Sequence, residues 1–421
     1  MNVEKYLNGF FKGTKNPSLK AMNFFSNAFD HPEKELKFIH VAGSNGKGST
    51  VEMMTNILIC AGFRVGKFIS PHLIKYNERI SVQNQTISDE EMESLILKIE
   101  PMIDLYNSQN DMNVTLFELE TTMALLYFKE KKCDFVVLET GLGGLYDCTN
   151  IVTPEVSVIT SIGYDHMNIL GDSLPEIAAQ KAGIIKQNSD TVFVFQENDV
   201  NEVIESTCRA KNNILHVVDS KNISNYSFDE NFQWFDYREY KSVKINLKGV
   251  KQIYNASCCI ECVDILKNKG YEISDDALRS GLSSVIHKGR FEKICDDPVI
   301  VFDGAHNMPA IDNFMHSVEM YYGGCKRVYV ISILKTKDYK NVLQRLLEDD
   351  NATFIFTTGN SVERYVDKED LFGFAKSISD NEKLMSCELD DVLGIVRSKY
   401  RDCICFVVGS FYVYGSVVRM L

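Results

Sequence analysis

The sequence predicts an α/β protein with mostly parallel sheets, divided into a larger N-terminal domain and a smaller C-terminal Rossmann-like domain. Three observations carry this expectation. Short apolar runs alternate with longer helical patterns; the alternation is interrupted once and then restarts; and 421 residues is a length for two to three domains. Hydrophobic residues make up 45% of the chain and charged residues 24%, enough apolar surface for each domain to bury a core.

Taken in order, residues 37–42, 64–70, 134–139, 155–160 and 191–195 read as buried strands. Helix signals lie between them. Ser88 with Glu91, and Thr115 with Glu118, have the spacing of capping boxes. A further helix is expected to start at Ser173 with Pro175 in its first turn. From about residue 211 to 248 the pattern is aromatic and alternating, which predicts a small antiparallel addition. A helix follows from about Gln252. Beyond Arg290 the runs PVIVFDGAHN, KRVYVISIL, ATFIFTTG and CICFVVGS restart the α/β pattern. The expected domains are residues 1–288 and 289–421.

The stretch Lys37–Thr50, KFIHVAGSNGKGST, carries the clearest chemistry. Gly43, Gly46 and Gly48 allow a tight turn with little Cβ obstruction. Amides of the turn, Asn45 among them, and the start of the helix after it point at an anion, and Lys47 adds a point charge. Ser49 and Thr50 supply hydroxyls for a magnesium ion. The loop is a shortened relative of the P-loop: Gly43 stands only three residues before Gly46, and Gly48 occupies the usual hydroxyl position. The expected N-terminal domain is thus a P-loop domain that binds phosphate, with an amphipathic helix over residues 51–61.

With its downstream motifs, the chain resembles the Mur-type ATP-dependent ligases, in the folylpolyglutamate synthase/dihydrofolate synthase branch. The resemblance rests on HVAGSNGKGST, ISPHL (69–73), YNERI (76–80), TLFELET (115–121) and LETGLGG (138–144). SIGYDHMNILG (161–171), IAAQKAGIIK (177–186), Gly289–Arg290, DGAHN (303–307) and VVGSFY (407–412) extend it over nearly the whole chain. It implies an enzyme that adds L-glutamate to the carboxylate of a reduced folate through an acyl phosphate. Formation of dihydrofolate from dihydropteroate is an additional reaction of the same branch.

The resemblance also assigns residues. Ser70, Glu139 and His166 would hold Mg2+, and Lys181, carbamylated, would hold a second metal ion, although a solvated helix lysine is the ordinary reading of that residue. Lys47, Lys181 and His166 are the catalytic candidates. Asn255, Arg290 and Asp303 would contact ATP, although an aspartate before glycine also commonly serves a turn. His306 and Ser410 would lie near the incoming glutamate, and Phe117, Glu118 and Asp147 near the pterin. Glu118 is equally the glutamate of a capping box.

The chain departs from the pattern at Leu145, where relatives commonly carry arginine, and at the neighbouring Tyr146; these bear on the acceptor. Two alternatives stay open: a Mur-type ligase with another carboxylate acceptor, and a nucleotide-binding regulator without catalysis. A net charge of −13 argues against nucleic acid as a partner. The absence of a signal pattern or membrane span predicts a cytoplasmic protein, by family habit a monomer, whose twelve cysteines are reduced. Cys259 and Cys262 have C-x-x-C spacing but no second pair, so a metal site is not expected there.

Overall fold

In the first of two compact units, apolar β-branched and aromatic runs form the strands of one eight-stranded sheet. The structure, a computed structural model, describes residues 2–11, 18–196, 198–359 and 362–421. The strands are β1 (Phe38–Ala42), β2 (Val65–Phe68), β3 (Ile80–Val82), β4 (Gln85–Thr86), β5 (Phe135–Glu139), β6 (Val156–Ile159), β7 (Asp190–Val194) and β8 (Ile214–Val218). Their order is β4-β3-β2-β5-β1-β6-β7-β8. β2, β5, β1, β6, β7 and β8 run parallel, and β3 and β4 extend the sheet antiparallel at one edge. β1 and β5 are buried along their whole length, as expected of strands covered on both faces.

Both expected capping boxes form, at Ser88 and at Thr115, and a third joins Ser173 to Glu176. Two expectations need correction. The helix after the glycine loop spans Lys47–Cys60 and is buried on nearly every side, so it is not amphipathic. The helix Asp275–Ser283 covers its outer face: Asn56 Nδ2 donates to Gly281 O at 2.9 Å, and a Cβ on Gly281 would stand 2.5 Å from Ile57 Cα. Residues 214–218, expected in the antiparallel addition, instead form β8 of the main sheet. The addition itself is a three-stranded sheet of β9 (Ile223–Phe228), β10 (Gln233–Tyr237) and β11 (Tyr240–Ile245).

The second unit is built on a six-stranded sheet of β12 (Glu292–Asp296), β13 (Val299–Asp303), β14 (Arg327–Ile331), β15 (Thr353–Phe356), β16 (Leu384–Ser386) and β17 (Ile404–Val408). The order is β12-β13-β17-β14-β15-β16, parallel except for β12. Its core is aromatic: Tyr329 stacks between Phe354 and Phe406 at 5.4 and 5.5 Å. The units comprise Met1–Ser227, Trp234–Asn246 and Ile253–Val285 in one, and Phe228–Gln233, Leu247–Gln252 and Ile286–Leu421 in the other. No helix among the described residues is long and apolar enough to cross a membrane. All twelve cysteines are free thiols, and Cys259 and Cys262 are buried in the helix Val250–Asn268.

Candidate active site

In an open parallel sheet the ligand crevice lies beyond the C-terminal strand ends. In the first unit four adjacent strands, β2, β5, β1 and β6, deliver polar residues there. Gly43 follows β1, Glu139 ends β5, Ser70 lies two residues beyond β2, and Thr160 and Ser161 follow β6. The register places Val41 beside Glu139 and Ala42 beside Ile159.

The glycine loop is fixed by the segment after β6. Ser44 N donates to Ser161 O at 2.7 Å, and Ser44 Oγ donates to Gly163 O at 2.8 Å. Asn45 O accepts from the hydroxyls of Thr160 and Ser161 at 2.8 and 3.1 Å. A side chain at Gly43 would strike the Thr160 hydroxyl. Gly46 has φ of 91° and approaches Asn255 so closely that a Cβ would lie 2.5 Å from its Oδ1. These two glycines are therefore required by contact as well as by backbone angle. Lys47 and Gly48 open the helix, and Ser49 and Thr50 are buried in its first turn, the Thr50 hydroxyl without a hydrogen-bond partner. Ser44, Thr160 and Ser161 are given no role by the sequence reading; the one signal for Thr160 and Ser161 is that two hydroxyl residues follow an apolar strand directly.

Two ammonium groups converge on one carbonyl. Lys47 Nζ and Lys181 Nζ donate to Gly43 O at 3.1 and 2.9 Å. Lys181 is only 3% exposed, which overturns the solvated reading. Burial and the charge of Lys47 push it down to about 7, against the opposing pull of Asp165 and Asp147. A lysine in that range holds a substantial neutral fraction at neutral pH.

Ser70 and Glu139 come together, Ser70 N donating to Glu139 Oε2 at 3.2 Å. Their oxygens suit Mg2+, which favours hard oxygen ligands and usually keeps water and substrate phosphate in its shell. Among the described residues no three His, Cys, Asp or Glu side chains gather into a metal cage. The residues thus fit an ion shared with phosphate, not an all-protein site. His166 is nearly half exposed, with its Nε2 3.7 Å from Asp165 Oδ1.

Among the residues expected near the pterin, Phe117 rests against Gly141 and lies 5.7 Å from Phe68. Glu118 closes its capping box, accepting from Thr115 N and Oγ1 at 2.7 and 2.8 Å, and burial pushes its carboxyl up. Asp147 is buried and accepts from Leu142 N and Thr149 N at 2.7 and 3.0 Å. Leu145 and Tyr146 are exposed.

The remaining expected residues belong to the second unit, again after strand ends. Arg290 lies 4.3 Å over the Phe411 ring. Asp303 accepts from Phe291 N and Ala305 N at 2.9 and 2.8 Å, so it holds a turn. Burial raises its carboxyl, while Arg290 and the two amides lower it. His306 Nδ1 donates to Gly304 O at 2.7 Å, which leaves Nε2 as an acceptor in the neutral ring. Ser410 is buried beyond β17, 3.4 Å from the Tyr365 hydroxyl.

With this geometry in hand, three comparisons are informative. The profile of the Mur ligase middle domain matches residues 41–263. The dihydrofolate synthase/folylpolyglutamate synthase of Bacillus subtilis is 36% identical over 100% of this chain and 98% of its own. Two solved structures are similar. Mycobacterium tuberculosis folylpolyglutamate synthase, complexed with ADP and AMPPCP, has a TM-score of 0.89 and 25% identity over 99% and 97% of the chains. Escherichia coli FolC in complex with DHPP and ADP has a TM-score of 0.84 and 27% identity over 99% and 95%.

Proposed function

Because the chain belongs to the Mur-type ATP-dependent ligases, in the folylpolyglutamate synthase/dihydrofolate synthase branch, we propose that it joins L-glutamate to the carboxylate of a reduced folate. Dihydropteroate is a second acceptor, giving dihydrofolate. The observation that carries this reading is the convergence of Lys47 and Lys181 on Gly43 O at the end of β1, inside a glycine loop fixed by Thr160 and Ser161.

The folate carboxylate attacks the γ-phosphorus of ATP, the bond to ADP breaks, and an acyl phosphate forms. The glutamate amine then attacks the acyl carbon and expels inorganic phosphate. Phosphoryl transfer demands alignment and charge neutralisation more than covalent chemistry by the protein. The amides of Ser44, Asn45 and Thr50 are taken up within the protein, so the amides from Gly46 to Gly48 and the Lys47 ammonium meet the phosphates, with Asn255 packed against Gly46. Ser70, Glu139 and His166 are the proposed holders of Mg2+, which supplies positive charge at the phosphate oxygens when bound. Burial leaves part of Lys181 neutral, the form that adds CO2, with loss of a proton, to become a carbamate. That group would turn a cation into a ligand for a second metal ion.

Residues 1–288 form the proposed ATP-binding domain and 289–421 the glutamate-ligase domain. Arg290 and Asp303 serve the nucleotide. His306 and Ser410 receive the amino acid. Phe117 and Glu118 border the pterin, with Asp147 holding the adjoining loop. The working form is a monomer. A folate carboxylate labelled with 18O tests the chemistry. The reading predicts one labelled oxygen in the released phosphate; unlabelled phosphate would exclude the acyl phosphate.

A further inference from the structure

Behind the loop Gly141–Asp147 runs a buried chain of hydrogen bonds that none of the steps above uses. His40, in the middle of β1, is wholly buried, and its Nε2 lies 2.8 Å from Thr149 Oγ1. Thr149 Oγ1 lies 2.5 Å from Asp147 Oδ1, which also accepts from Thr149 N. Asp147 Oδ2 accepts from Leu142 N, and the Gly141 amide is directed at the same carboxylate. A carboxylate offers about four acceptor positions, and the chain's own groups fill them.

The polarity of this chain follows from its two ends. Burial raises the Asp147 carboxyl, while the amides of Leu142, Thr149 and Gly141 draw on its oxygens as acceptors, and with the carboxylate so held the single Thr149 hydroxyl proton goes to Oδ1. The Thr149 oxygen must then accept from His40, which places the imidazole proton on Nε2. His40 Nδ1, buried and without a partner, is left as a bare lone pair. The reversed chain would bury a proton on Nδ1 with nothing to receive it. Burial, followed by the charge of Lys186, independently holds His40 at about 3, so the ring stays neutral.

The loop fixed by Asp147 touches two expected functional elements. Phe117 packs on Gly141, and Leu145 N donates to Gln180 O at 2.7 Å, on the helix Leu174–Ala182 that carries Lys181. Asn150 Nδ2 ties Leu145 O to Gly183 O at 3.0 and 3.2 Å.

We propose that His40 is a positioning residue for the acceptor. Its Nε2–H, relayed through the Thr149 hydroxyl, holds Asp147 as an acceptor-only carboxylate that fixes the loop Gly141–Asp147 between Phe117 and the Lys181 helix. This rests on reading that loop as a border of the folate site.

The test pairs kinetics with 15N spectra of histidine-labelled protein, the His40 signal being assigned by its loss in His40→Gln. The wild type shows the Nε2–H tautomer, unchanged between about pH 5 and 8. His40→Leu and Thr149→Val each raise KM for tetrahydrofolate about tenfold while KM for ATP moves less than about twofold. His40→Gln, whose amide can donate from the Nε2 position, recovers most of the loss. The double variant His40→Leu/Thr149→Val is no worse than Thr149→Val alone. An Nδ1–H tautomer, or equal losses in His40→Gln and His40→Leu, would overturn the relay. Should the wild type reject folates, the tautomer and faster amide exchange in residues 141–147 of Thr149→Val would still support the relay, and the functional reading alone would fail.

Discussion

At the end of β1, Lys47 and Lys181 aim at one carbonyl from 3.1 and 2.9 Å, whereas in the second unit Arg290 lies 4.3 Å over the Phe411 ring with Asp303 as its electrostatic partner. Burial, and then the charge of Lys47 beside it, make Lys181 give up much of its proton affinity. A guanidinium stacked on an aromatic ring keeps its charge at any working pH. The first unit thus has an adjustable cation next to a fixed glycine loop, and the second has a permanent one. Phosphoryl chemistry at the lysines and nucleotide contact at the arginine are the division of labour this difference suggests.

The largest effect should come from the lysine side. Lys47→Met removes the loop's point charge and is expected to lower ADP release on the order of 10³-fold, with its far-UV spectrum unchanged. Lys181→Arg replaces an adjustable cation by a permanent one and should cost about 10²-fold in kcat. Recovery of full kcat in that variant would remove the carbamate from the account.

Stability separates the two cations further. The folded value of Lys181, about 7, lies below its ordinary 10.5, so between those values the unfolded chain binds the extra proton. Its penalty on folding is full below about pH 7 and fades as pH rises toward 10.5. Lys181→Met should therefore raise Tm most near pH 6 and scarcely at all near pH 10. A pH-independent gain would contradict the burial of a titrating amine.

Arg290→Lys should raise KM for ATP about tenfold without a comparable pH effect, because lysine loses the guanidinium contact with the Phe411 ring. The smallest change lies in the core of the second unit. Tyr329→Phe deletes the hydroxyl bond to Asp349 Oδ2, 2.9 Å long, and should cost about 1 kcal/mol by urea unfolding while turnover stays unchanged.

Much of this was legible because it is local. Strand–helix alternation, the capping boxes at Ser88 and Thr115, and the glycine spacing around Lys47 are set by neighbours a few residues apart. Three features were not. Lys181 looks solvated in sequence, and becomes buried because the chain brings Gly43 to it across 138 positions. The helix Lys47–Cys60 loses its polar face because the helix Asp275–Ser283 arrives from far along the chain. The run Ile214–Val218 signals a strand without signalling which sheet it joins, so in sequence β8 reads as part of the aromatic addition. Asp147 shows the same limit from the other side: the motif marks it for the site, while only the fold shows that its carboxylate is filled by amides and Thr149.

The most direct test is mass spectrometry of the acceptor after incubation with ATP, Mg2+ and L-glutamate, alongside ADP release. The account predicts that tetrahydrofolate gains one glutamyl unit for each ADP formed, and that dihydropteroate is converted to dihydrofolate. ATP binding with neither acceptor gaining glutamate would contradict it, and would turn attention to Leu145 and Tyr146 as the border of a site for a different carboxylate.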